Sequence, residues 1–122
     1  MESRDVKLLV VGAAAWAAAV PLVKFAGPIV ANGGPAAKIG MVAFGVGLAA
    51  CTTPLLSYVL GWRSREERTR GIAIALGTAQ TIDGVVHFCW PSFYSTDPRV
   101  GLGAAGNIFL GAGLLGIFSA YA

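Results

Sequence analysis

The sequence predicts an all-α fold, a bundle of four transmembrane helices with both termini on the same, cytoplasmic or matrix-like, side. Three observations carry this. First, hydrophobic residues make up 56% of the chain and charged residues only 12%, about half the charged share of a soluble domain. Second, fourteen of the fifteen Lys, Arg, Asp and Glu residues fall in the tail, the loops or the span ends, and Asp83 is the exception. Third, Gly- and Pro-rich turns separate the apolar stretches. A water-soluble chain of 122 residues with a mean hydropathy of +0.70 would have nowhere to hide so much apolar surface. There is room for a single domain, 1–122, with spans at approximately 6–26, 36–62, 65–90 and 98–121.

Span 1 starts near Val6, with Asp5 placed to cap it and Lys7 in its first turn. Leu8 to Val23 carries no charge. Pro21 removes one backbone hydrogen bond, and Gly27-Pro28 is expected to stop the helix. The connector Asn32-Gly33-Gly34-Pro35 is the strongest turn signal in the chain. Pro35 suits the first position of span 2. From Ile39 to Trp62 there are twenty-four residues without a charge, more than the roughly 20 needed to cross a bilayer. Pro54 frees the carbonyl of Ala50, which Thr52 and Thr53 are placed to re-satisfy.

The run Arg63 to Arg70 is the only dense cluster of charge. Ser64 and Glu67 have capping-box spacing, so helix 3 is expected to begin at Ser64. Glu66 and Arg70 have the spacing of a favourable i,i+4 pair. Pro91 ends span 3. Asp97-Pro98 reads as the cap and first residue of span 4. The segment Met1 to Lys7 mixes acids and bases and does not read as a cleavable signal. Pro21/Pro28 and Pro91/Pro98 share a spacing of seven, a faint echo of a duplicated hairpin.

Charge sets the orientation. With four spans, Arg4, Lys7, Arg63, Arg65, Arg68 and Arg70 share one side, and Lys24, Lys38 and Arg99 the other. The positive-inside rule places the richer side in the cytoplasm or an organelle matrix, in a bacterial cytoplasmic or organellar inner membrane. Trp62 and Tyr121 then fall at the inner interface, Trp90 and Tyr94 at the outer. Arg63, Arg65, Arg68 and Arg70 are expected to touch anionic headgroups or a docked partner. The net charge of +3 is too small and dispersed to argue for nucleic acid.

Helices in lipid associate through small residues that let backbones approach. Ala43, Gly47 and Cys51, and Ala112, Gly116 and Ala120, recur at four-residue spacing. Gly47, Gly84, Gly106, Gly111 and Gly116 are the expected packing glycines, within the chain or against another one. Cys51 and Cys89 differ in expected depth by roughly 16 Å, too far for a disulfide. They read as buried small apolar residues.

Span 3 holds the one chemical anomaly. An acid at the centre of a hydrocarbon slab costs about 3 kcal/mol on insertion scales. Asp83 must therefore face protein, a cavity or a ligand. Gln80, Asp83 and His87 share one helix face at i, i+3 and i+7, and Asn107 on span 4 is a candidate to join them. Three readings stand. These groups satisfy one another and fix helix register, at around 0.6 kcal/mol per contact. Alternatively, Asp83 and His87 form a proton- or ion-linked site. Or His87 is an axial ligand to a haem or a pigment magnesium. Bound lipid is expected in any case. Nucleophilic catalysis is not expected: Cys89 lies on a different face from His87, and no phosphate loop, Cys-x-x-Cys or zinc spacing occurs.

The run Asp83-Gly84-Val85-Val86-His87-Phe88-Cys89-Trp90-Pro91-Ser92-Phe93-Tyr94 resembles the third-span signature of a family of small bacterial four-span membrane proteins of unknown function. That resemblance implies a four-helix architecture and an intramembrane acid, and no particular activity. The chain differs from the small multidrug-resistance transporters, which carry their key acid in span 1. The expected role is non-catalytic: an accessory or packing subunit of a larger, plausibly energy-transducing, membrane complex, whose partners are other transmembrane subunits or further copies of itself. The alternative is a small oligomeric transporter working through Asp83 and His87.

Overall fold

A computed structural model describes residues 3–121. They form four long helices: α1 (Ser3–Asn32), α2 (Gly34–Leu60), α3 (Arg65–Cys89) and α4 (Pro98–Tyr121). Each is long and apolar enough to cross a membrane. The fold is an all-α transmembrane bundle, the architecture of an integral membrane protein.

Local chemistry sets the ends. Contrary to expectation, α1 does not stop at Gly27-Pro28 but continues through both prolines to Asn32. Each proline frees one carbonyl, a loss that a membrane helix tolerates when its neighbours cover it. Gly27 is a contact point instead: Val100 Cγ1 lies 2.8 Å from where a Cβ would stand. Asp5 is not a cap either. It sits inside the first turn of α1 and pairs with Arg70 at 3.3 Å, which removes Arg70 from the expected pair with Glu66. Gly34 opens α2 at φ 69, with Pro35 following. Gly61 closes it in the left-handed conformation, φ 67, which L side chains resist. Near Pro54 the hydroxyl that turns back is that of Thr53, donating to the Ala49 carbonyl at 3.0 Å. Ser64 caps α3 by accepting from the Glu67 N–H at 3.1 Å. The Glu67 carboxylate returns to the Arg63 N–H at 2.9 Å, one residue earlier than in a standard capping box. Asp97 caps α4 by accepting from the Arg99 N–H at 2.9 Å.

Packing does not follow chain order. The parallel pair α1 and α3 shares the most extensive contact, and α2 lies chiefly on α4, while α2 and α3 barely meet. The starts of α1 and α3 and the end of α4 are drawn together at one end. Arg4 pairs with Glu67 at 3.3 Å, and Arg68 Nε and Thr69 Oγ1 both donate to the Ser119 carbonyl, at 3.0 and 3.3 Å. Close to that end Leu8, Trp62 and Ile72 form an apolar cluster. Trp62 is buried there, because its indole fills the space over Gly71 where a side chain would stand.

The outer surface is apolar, with Phe25 76% and Phe88 89% exposed on the isolated chain. In a membrane such side chains meet acyl chains, which require no protein cover. Cys51 and Cys89 belong to this surface. Both are free thiols and both are exposed, contrary to the expectation of burial.

The expected packing glycines make no close approach within the chain. A Cβ added at Gly47, Gly84, Gly106, Gly111 or Gly116 would meet nothing within 4 Å. The close approaches occur at Gly12, Gly27 and Gly71, and at Gly33 in the turn between α1 and α2. At Gly12 the Ala75 carbonyl occupies the side-chain position, with Thr78 Cβ 2.9 Å away. Four-residue spacing marks a smooth stripe but does not say whether the stripe faces inward.

Candidate intramembrane polar site

Asp83 is 5% exposed, one of the most deeply buried side chains among the described residues. It lies on the last two turns of α3, about 10 Å along the axis from Trp90. Three groups from three parts of the chain converge on its carboxyl. Trp16 Nε1, from the middle of α1, donates to Oδ1 at 3.1 Å. The Tyr94 hydroxyl, from the α3–α4 loop, donates to the same oxygen in a short hydrogen bond. His87 Nδ1, one turn along α3, lies 3.1 Å from Oδ2 and 2.9 Å from the Asp83 backbone carbonyl.

Both neighbours of His87 Nδ1 are oxygens of Asp83. The backbone carbonyl can only accept, so Nδ1 carries a hydrogen. The other ring nitrogen is Nε2. That atom has no exposed surface and no hydrogen-bond partner. Nε2 is also the atom an iron or pigment magnesium would need, and a macrocycle has no approach to it without repacking. The haem or pigment reading therefore does not fit this arrangement.

The loop folds back because Pro91 ends α3 and a turn closes from the Phe93 N–H to the Trp90 carbonyl at 3.0 Å. This carries Tyr94 inward to 7% exposure, with its hydroxyl on Asp83. Phe93 stacks on Trp16, with ring centres 6.2 Å apart, and the Lys24 ammonium stands 4.2 Å over the Phe93 ring. Trp90 meets Phe93 edge-on at 5.2 Å. This aromatic layer covers the carboxyl from the side of the loop. Burial, then the hydrogen bond to Asp83, pushes the Tyr94 phenol well above its ordinary range. It stays protonated and keeps donating.

Gln80 and Asn107 are half-buried, and neither hydrogen-bonds to Asp83 or His87. Of the four residues predicted, the structure brings together Asp83 and His87. Trp16 and Tyr94 take the other two places. Trp16 carried a readable signal: an indole N–H in mid-span, far from either interface, needs an acceptor. Of the four loop arginines, Arg68 and Arg70 are tied to Ser119 and Asp5, and the Arg65 guanidinium lies 5.4 Å from the Tyr121 ring centre. The Arg63 side chain is exposed, and it is the backbone N–H of this residue that engages Glu67. No family model, curated protein or solved structure matches the chain. The site must therefore be read from its own geometry.

That geometry is closed. A carboxyl that receives three donors and is roofed by aromatic rings pins α1, α3 and the loop to one another.

Proposed function

We propose that the chain is a non-catalytic membrane subunit that assembles side by side with other transmembrane helices, and that Asp83 serves as its internal fastener. One observation supports this above others. Gly106 and Gly113 sit seven residues apart on the exposed face of α4, and a Cβ at either would meet nothing within 4 Å. Glycine in a helix interior costs about 1 kcal/mol relative to alanine. Two such residues on an outward face are accounted for by a second backbone packing there. Mild detergent extraction is expected to yield a complex much larger than the 12.5 kDa chain. Gly106→Leu with Gly113→Leu is expected to release a folded monomer from it. A parent chain recovered only as a free monomer overturns the reading, and so does a double variant that stays in the complex.

A second reading is favoured by His87 Nε2, a buried basic atom without a partner beside a buried carboxyl. A proton-linked transporter would use this pair. Asp83→Asn should then abolish a pH-dependent flux in proteoliposomes, and absence of such a flux in the parent protein removes the idea.

A further inference from the structure

Where α3 begins and α4 ends, the bundle holds an open groove of about 600 Å³ lined by Arg65, Glu66, Thr69, Arg70, Ala73 and Ala120. Two charges in it lack an ionic partner among the described residues. Arg65 rests on the Tyr121 ring and pairs with no carboxylate. Glu66 pairs with no cation, because Arg70 turns its Nη2 to Asp5, 3.3 Å from each oxygen. Arg65 and Glu66 cannot satisfy each other, since adjacent residues on a helix point apart. Arg70 keeps donors beyond Nη2, because a guanidinium carries five N–H groups. The Thr69 hydroxyl donates to Ser119 and remains free to accept.

Toward the middle of their spans, both helices that line the groove carry small residues. Ala120, Gly116 and Ala112 follow one another at four-residue steps on α4, as do Ala73 and Gly77 on α3. A Cβ at Gly77 or Gly116 would meet nothing within 4 Å, so both walls stay smooth. A cation and an anion at the end of a membrane span, above a smooth apolar lane, match a ligand carrying both charges on an acyl chain.

We propose that this groove binds an aminophospholipid, its phosphodiester against Arg65 and Arg70, its primary ammonium against Glu66, and an acyl chain between the Ala73 and Ala120 walls. A purely anionic headgroup would meet the Glu66 carboxylate uncompensated. A trimethylated amine has no N–H to donate to it. Its headgroup contacts, Arg65, Glu66 and Arg70, lie on α3 and include none of the glycines on which the assembly reading rests.

Native mass spectrometry of the detergent-solubilised chain tests it, with phosphatidylethanolamine, phosphatidylglycerol and phosphatidylcholine of matched acyl chains. Phosphatidylethanolamine is expected to bind most tightly. Arg65→Gln is expected to weaken its binding about fivefold, the effect of one basic group near a lipid phosphate. Glu66→Gln is expected to erase the preference over phosphatidylcholine, and inorganic phosphate at equal concentration to leave the lipid bound. Circular dichroism checks that the variants remain helical. Should Arg65→Gln fail to fold, Glu66→Gln and the lipid ranking of the parent chain still decide. Equal binding of the three lipids, preference for phosphatidylglycerol, a preference that survives Glu66→Gln, or displacement by phosphate overturns the assignment.

Discussion

Tyr94 donates to a carboxyl that also receives Trp16 and His87. Its removal therefore leaves Asp83 buried with one donor fewer. Tyr94→Phe is expected to cost about 1–3 kcal/mol, the range for a lost bond to a buried polar group, read as a lower melting temperature in detergent. The direction of the phenol shift fixes the pH behaviour. A group whose ionisation is raised by folding contributes stability that is complete below its unfolded value, about 10 for tyrosine. That stability fades as the pH climbs through the folded value. Alkaline titration of the tyrosinate absorbance is expected to show one phenol ionising late, and Tyr94→Phe to abolish that phase. An unchanged titration would place Tyr94 outside the site. Asp83 and His87 were legible because helix periodicity operates within one segment. Tyr94 was not, because its contact depends on a loop reversing over the end of α3, a tertiary event that no local spacing encodes. Gln80 shares the face of Asp83 but misses it, since the donors arrive from α1 and the loop.

At the level of the helices, the same residue type plays opposite parts. Gly12 stands where the Ala75 carbonyl and Thr78 press against α1, so a methyl group has no room. Gly12→Ala is expected to destabilise the α1–α3 pair by about 1–3 kcal/mol through overpacking. Gly106→Ala, with open space around it, is expected to be neutral or to stabilise the isolated chain by up to about 1 kcal/mol. Unfolding in detergent measures both, and equal effects would contradict the placement of these glycines. Capping chemistry was readable, as Ser64 with Glu67 and Asp97 with Pro98 show, because caps are satisfied within a few residues. The end of α1 was not readable. Pro28 interrupts a helix in water, but here it leaves only one carbonyl to be covered.

Across the bundle, large apolar side chains cover the outer face, while Thr53, Asp83 and Ser119 are buried beside an apolar core. Cys51 lies on that outer face, nine residues or about 14 Å before the end of α2. In a bilayer it is expected to resist a charged, membrane-impermeant thiol reagent and to react once the protein is unfolded. Rapid labelling of Cys51 in intact membranes would place it in water and contradict the transmembrane arrangement. The overall plan was legible from composition because lipid imposes a single length and polarity on every span. The choice of α3, not α2, as the main neighbour of α1 was not, because apolar faces in lipid attract one another without preference and only close backbone approaches such as Gly12 decide.

The turn after α3 reaches back to the buried carboxyl through one phenol ring. A protein that gripped Phe93 or Trp90 from outside would tug that ring, and with it the latch between α1 and α3. The shape of the seven-residue loop 91–97 and the integrity of a buried bond thus form a single mechanical variable. A neighbour would need no passage into the lipid to sense or set it.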